Sequence, residues 1–200
     1  MRKIMMFNRV SADGYFATPE GSLDWVVPDE DIAKAGAEGI PDTDTVLFGR
    51  RTYEMFASFW PKVLDDSGTA PDPHGGQRSQ QQRAFAEGLT AMTKLVFSRT
   101  LQEVTWKSSR IVRELDPRAI EELKNQPGKG IIIFGSGTIV SQLTEHGLID
   151  EYQFIVSPVL LGRGKALIAD VSQRLKLDLL EAKPYPSGNV MLRYATCSIP

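Results

Sequence analysis

Cysteine is almost missing from this sequence, with Cys197 alone among 200 residues. An internal disulfide is therefore excluded, and no Cys/His cluster is spaced to hold a structural zinc. Histidine is nearly as scarce, at two. His74 sits between Pro73 and Gly75 with no spaced partner for a metal, and His146 falls in the last turn of an expected helix, where electrostatics at the helix end account for it. No apolar run approaches the roughly 18 residues of a membrane-span candidate. Residues 1–8 lack the long apolar stretch and small-residue cleavage site of a signal peptide. Neither charge dominates: 23 Lys and Arg face 25 Asp and Glu, for a net charge of -2. That balance provides no general basic footprint for nucleic acid or an anionic membrane. The G-x-S-x-G elbow of a serine hydrolase is also absent, since Gly135-Ser136-Gly137 lacks its spacing. The expectation is a cytoplasmic protein whose partner is a small molecule. An anionic ligand would have to be met locally, by arginines and helix N-termini.

What is present is an ordinary hydrophobic content of 42%, enough for one domain over residues 1–200 with a sizeable core. Strand-like and helix-like segments alternate, the signature of an α/β domain. Strands are expected at 3–10, 45–48 and 94–97, and at 130–134, the most apolar and so the central one. Later strands fall at 151–156, 174–182 and 189–196, the last two forming a hairpin around 184–188. Helices are expected from near Pro28, over 50–59 and 79–88, from Pro117 with Asp116 as N-cap, and over 136–146 with Gly147 as the stop. Residues 60–78, rich in proline and glycine, read as a long loop and a lid over a site.

Three strand ends carry residues suited to phosphate. Phe134-Gly135-Ser136-Gly137-Thr138 joins the most apolar strand to a helix, whose free N–H groups and partial positive charge suit a pyrophosphate. A plain tight turn explains the same residues, and Val140 stands where a full Rossmann fingerprint has its third glycine. Gly49-Arg50-Arg51-Thr52 also opens a helix, with two arginines that serve equally as an anion site or as solvated surface. Ser98-Arg99 follows the strand at 94–97. Each is weak alone; together they make one anionic trough for an extended dinucleotide. Ser11-Ala12-Asp13-Gly14 follows the first strand and favours a turn. Asp13, Asp24 and Glu30 are nearby carboxylates for proton delivery, and Trp25 and Trp60 suit either a flat apolar pocket or core packing.

In this order, Ser11-x-Asp13-Gly14, Gly49-Arg50-x-Thr52-Tyr53-Glu54, Val96-Phe97-Ser98-Arg99, Phe134-Gly135-Ser136-Gly137 and Pro158-Val159-Leu160-Leu161-Gly162-x-Gly164 resemble the dihydrofolate-reductase-like superfamily. The nearer likeness is to its riboflavin-biosynthesis reductase branch in stand-alone form, and it runs over residues 3–195. The resemblance implies a largely parallel central sheet flanked by helices, a C-terminal antiparallel hairpin, NADPH as cofactor and a homodimer. It implies that Gly49, Arg50, Thr52, Gly135, Ser136, Gly137 and Thr138 touch the phosphates. It places Ser98 and Arg99 near the adenosine 2′-phosphate and the 11–16 loop near the nicotinamide. Trp25-x-x-Pro28-x-Glu30 resembles the folate enzyme's acidic motif, with Glu30 at its acidic position. The deaminase domain and its zinc motif are absent from this sequence.

The activity expected is hydride transfer from NADPH to a C=N or C=O group of a flat heterocycle or sugar-derived acceptor. The residues alone also admit two alternatives. One is a nucleotide-binding regulatory domain without turnover; the other is a nucleotide or phosphate-ester-processing enzyme.

Overall fold

The computed structural model describes residues 1–39, 42–65 and 80–197. In chain order the elements are β1 (Ile4–Ser11), β2 (Tyr15–Ala17), α1 (Glu30–Gly39), β3 (Thr43–Gly49), α2 (Arg50–Leu64), α3 (Gln80–Ala91), β4 (Thr93–Phe97) and β5 (Ser109–Val112). They continue with α4 (Pro117–Asn125), β6 (Gly130–Phe134), α5 (Gly137–Glu145), β7 (Glu151–Ser157), β8 (Lys165–Ala166), β9 (Leu177–Pro184) and β10 (Val190–Thr196). The main sheet has eight strands in the order β5-β4-β3-β6-β1-β7-β10-β9, and β2 pairs with β8 in a small second sheet. Of the eight, β10 alone runs against the rest, antiparallel to both β7 and β9. This is the largely parallel sheet with a C-terminal antiparallel hairpin that the sequence led us to expect.

The central strands are buried on both faces, as their continuous apolar runs dictate. Their side chains alternate between two cores. Leu47, Leu95, Ile131 and Ile133 face one way and pack with Ile120 of α4 and Ile139, Val140 and Leu143 of α5. Val46, Phe48, Val96, Ile132 and Phe134 face the other way, against Tyr53 of α2 and Leu89 of α3. Ile32 of α1 joins Ile155, Tyr185 and Met191 in a smaller cluster. Helices therefore cover both faces.

Several boundaries differ from the sequence reading. The helix expected to stop at 59 runs through Pro61 to Leu64. An interior proline costs about 3 kcal/mol. Phe59 and Val63 are buried on either side of it, and burying each such side chain stabilises by about 1.5–3 kcal/mol; packing wins. Trp60 is accordingly a core residue, with its ring 4.7 Å from that of Phe85. The rest of the expected lid, His74 included, lies outside the described residues. Strand β5, unnoticed in the sequence, is a four-residue edge strand containing Ser109 and Arg110. Asp116 caps α4 as expected, accepting from the Arg118 N–H at 3.0 Å, with Pro117 opening the helix.

The N-terminal ends of the parallel strands are closed by ion pairs. Arg2 pairs with Asp44 and donates to the Lys129 carbonyl at 2.6 Å. Burial pushes the Asp44 carboxyl up, but the Lys129 N–H, the Thr45 hydroxyl and the Arg2 charge outweigh it and hold the group below its ordinary value. Lys124, only 7% exposed, meets Asp150 at 2.7 Å and the Leu148 carbonyl at 2.9 Å.

Candidate functional site

At the opposite end of the sheet a cavity of about 890 Å³ opens where β3, β6 and β1 stop. Such a rim is where ligands gather in open α/β sheets. It exists because β6, formed late in the chain, lies between β1 and β3, so the connections leaving β3 and β6 start neighbouring helices on opposite faces of the sheet.

The two strand-to-helix turns grip each other. The Ser136 hydroxyl accepts the Gly49 N–H at 2.8 Å, and the Ser136 N–H donates to the Thr52 hydroxyl at 3.2 Å. The two hydroxyls lie 3.1 Å apart. Gly135 and Ser136 both take left-handed backbone, with φ of 56° and 57°. Glycine is required at 135, since a Cβ there would stand 2.8 Å from the Thr52 hydroxyl oxygen. Gly137 is confined less tightly: a Cβ would meet the Leu167 carbonyl at 3.1 Å and the Phe16 ring at 3.2 Å. A side chain at 137 would thus strike protein before it reached any ligand.

Neither α2 nor α5 has a side-chain cap. A helix leaves its first amides without intrahelical acceptors, and here both sets face one cavity. Gly49, Arg50, Thr52, Gly135, Ser136, Gly137 and Thr138 all line it. Arg51 lines it too, and both arginines are exposed. The sequence-expected phosphate residues at these two turns are therefore brought together. Thr52 and Ser136 hold the turns to each other, which spacing alone does not reveal.

The remaining candidates lie elsewhere. Ser98 and Arg99 are not among the lining residues. The Ser98 hydroxyl accepts the Thr100 and Leu101 amides, and the Arg99 side chain is 82% exposed beside Glu114 at 4.0 Å. Asp13 also lies off the lining. Its carboxylate accepts the Ser11 hydroxyl at 2.6 Å, the Leu161 N–H at 3.1 Å and the Gly162 N–H at 2.7 Å. The Ser11 hydroxyl and those two amides hold its carboxyl below the usual range despite the opposing pull of desolvation. The two glycine-bearing motifs at 11–14 and 158–164 are thus halves of one latched loop pair. Asp24 and Glu30 are exposed and off the lining, while Asp29 caps α1 through the Ile32 N–H at 3.0 Å. Trp25 and Trp60 do not line the cavity either.

Sequence reasoning missed the floor and one wall. Phe7 and Phe134 meet edge to face at 5.8 Å, and Phe56 lies 5.5 Å from Phe134. All three line the cavity, as do Asn8 and Arg9. Asn8 is 5% exposed and donates to the Gly135 carbonyl at 3.2 Å, tying β1 to the glycine turn. The signal available was a polar Asn8-Arg9 pair closing an otherwise apolar first strand. An aromatic floor beside two helix starts without side-chain caps and exposed arginines suits an aromatic group attached to a polyanion. Among the described residues no group of three metal-ligating side chains occurs.

The chain is similar in sequence and fold to several known proteins. Two Bacillus subtilis proteins, YyaP and YwjB, are each 28% identical to the chain and span 96% of it, covering 94% and 97% of their own lengths. A Shewanella sp. PV-4 structure assigned to riboflavin biosynthesis superposes with a TM-score of 0.71 at 21% identity, covering 98% of this chain and 99% of that one. RibD of Acinetobacter baumannii superposes at 0.63 with 19% identity, covering 99% of this chain and 59% of its own. No helix of the described residues is long and apolar enough to cross a membrane. The RibD C-terminal domain model matches residues 2–191, and the chain belongs to that family of reductase-like domains of the riboflavin pathway.

Proposed function

We propose that the protein is an NADPH-dependent reductase of a small heterocyclic or sugar-derived acceptor. One observation carries this: two uncapped helix N-termini, clasped through Thr52 and Ser136, open onto one cavity with Arg50 and Arg51 on its rim. Free amides at paired helix starts suit a pyrophosphate. Exposed arginines suit a further phosphate. The aromatic floor suits a nicotinamide ring and its acceptor. When bound, NADPH supplies the hydride. The chain holds the phosphates at residues 49–52 and 135–138 and excludes water at Phe7, Phe56 and Phe134. The matching proton does not come from Asp13, which is committed to the loop latch, or from Asp24 and Glu30, which are exposed off the lining. The same reading makes the protein a cytoplasmic homodimer.

Calorimetric titration with NADPH and NADH tests it. Replacing both Arg50 and Arg51 by Ala should weaken NADPH by roughly 10- to 150-fold, the worth of a charge-assisted hydrogen bond, and NADH much less. Arg99→Ala should leave both unchanged. A large loss for Arg99→Ala alone would move the 2′-phosphate to that strand end. Tight NADPH binding without oxidation by any acceptor would leave a nucleotide sensor in place of an enzyme.

A further inference from the structure

The register of β1 and β6 exposes a charged side chain that the phosphate rim does not use. Phe7 pairs with Phe134, the last residue of β6. Beyond that point β6 has turned away into Gly135, while β1 continues beside β7 to Ser11. Asn8 spends its amide on the departing Gly135 carbonyl. Arg9 is two residues past Phe7, hence on the same face of the strand, and it lines the cavity where β1 has lost its neighbour.

Arg9 is poorly matched there. Its recorded hydrogen bond is a long one, from Nη1 to the Val27 carbonyl at 3.4 Å. Asp29 is the charge that acts on it, but Asp29 already accepts the Ile32 N–H and the Ser187 hydroxyl. No ion pair reaches Arg9 among the described residues. Burial pushes its guanidinium down, and the Asp29 charge only partly opposes this. Phe7 and Val26 beside it are apolar. A half-buried guanidinium with one long hydrogen bond keeps a demand for acceptors, and its planar fork meets two of them in one plane.

We propose that Arg9 is the residue that selects the acceptor, gripping a planar anionic edge of the carboxylate type while the attached ring lies on the Phe7–Phe134 floor. This rests on the reductase reading for the word acceptor, but the binding site itself does not. It assigns the substrate class as flat ring acids, in contrast to neutral rings.

The probe is 2-naphthoate, with 2-naphthamide as its uncharged counterpart, titrated into the protein without cofactor. The wild-type protein should bind the acid at least about 10-fold more tightly than the amide. Arg9→Met should lose roughly 10- to 150-fold for the acid and little for the amide. Arg9→Lys, which keeps the charge and loses the fork, should fall between them and serves also if the Met variant does not fold. Arg99→Ala, which removes an exposed cation off the lining, should bind the acid as the wild type does. Equal binding of acid and amide by the wild type overturns the proposal. So does an unchanged Arg9→Met protein, or an equal loss for Arg99→Ala. Absence of NADPH binding to the wild type would overturn the reductase reading and leave the Arg9 result standing.

Discussion

The two ends of the parallel strands are built on opposite rules. At their N-terminal ends, cations and carboxylates meet: Arg2 with Asp44, Lys124 with Asp150, Lys3 with Glu151 at 2.9 Å. At their C-terminal ends Arg9, Arg50 and Arg51 line a cavity, and two helices start without side-chain caps. Yet α4, which begins away from that cavity, is capped by Asp116. Capping is therefore withheld selectively. One end has its polar groups satisfied by protein and is arranged for stability. The other leaves them open to a cavity, at some cost in stability.

Substitutions should separate the two ends, and the largest effect belongs to the closed one. Lys124→Met takes the cation from Asp150, which keeps the Ile4 N–H and is 31% exposed, so the loss is at most the ~3–5 kcal/mol of breaking a buried pair. Urea unfolding should show a loss up to that size, with NADPH affinity in the folded fraction unchanged. A loss below about 1 kcal/mol would mean that the closed end is not what holds the sheet. Gly135→Ala comes next. It forces left-handed backbone on a residue with a Cβ, at about 1–2 kcal/mol, and crowds the Thr52 hydroxyl at 2.8 Å, adding about 1–3 kcal/mol. Unlike Lys124→Met, it should also weaken NADPH, because the clasp shapes the phosphate turn. Gly147→Ala is the control: its φ is 64° but a Cβ there meets nothing within 4 Å, so only the backbone part should appear.

The smallest effect is acid sensitivity, shared by both ends. Asp44 and Asp13 are each held below the ordinary carboxylate value. A depressed carboxyl contributes stability that is present above its unfolded pKa, about 3.9, and is lost as pH falls through the lower folded value. Stability should therefore decline below about pH 4, and Asp13→Asn and Asp44→Asn should each flatten part of that decline. An unaltered acid limb in both variants would show that neither group is coupled to folding.

Local features were legible in the sequence, and long-range ones were not. The run at 130–134 announced a strand buried on both faces, and the glycine-bearing turn after it announced a helix start, which lies on the cavity. Asp116-Pro117 announced a capped helix. Thr52 is different. It stands beside Arg50 in a plausible phosphate motif, but its hydroxyl is turned to Ser136, 84 positions away. Asp13 fits an ordinary turn and also a proton route, yet its decisive partners are amides 148 and 149 positions on. Pro61 read as a break because no local rule weighs one lost hydrogen bond against Phe59 and Val63. Arg9 went unweighed because its isolation depends on where β6 ends.

The position of β6 has a consequence for how the chain reaches its folded form. Its neighbours β1 and β3 are made early, but the strand that joins them begins at Gly130. The pairing of Ile4 with Ile131 spans most of the molecule, and contacts so distant in sequence slow folding because a long loop must close before they form. Until residue 134 has left the ribosome, β1 has no neighbour in the main sheet and β3, β4 and β5 stand apart from it. The cavity lies where β6 joins them, so its aromatic floor and its clasped turns come into being in the same event that ties β1 to β3.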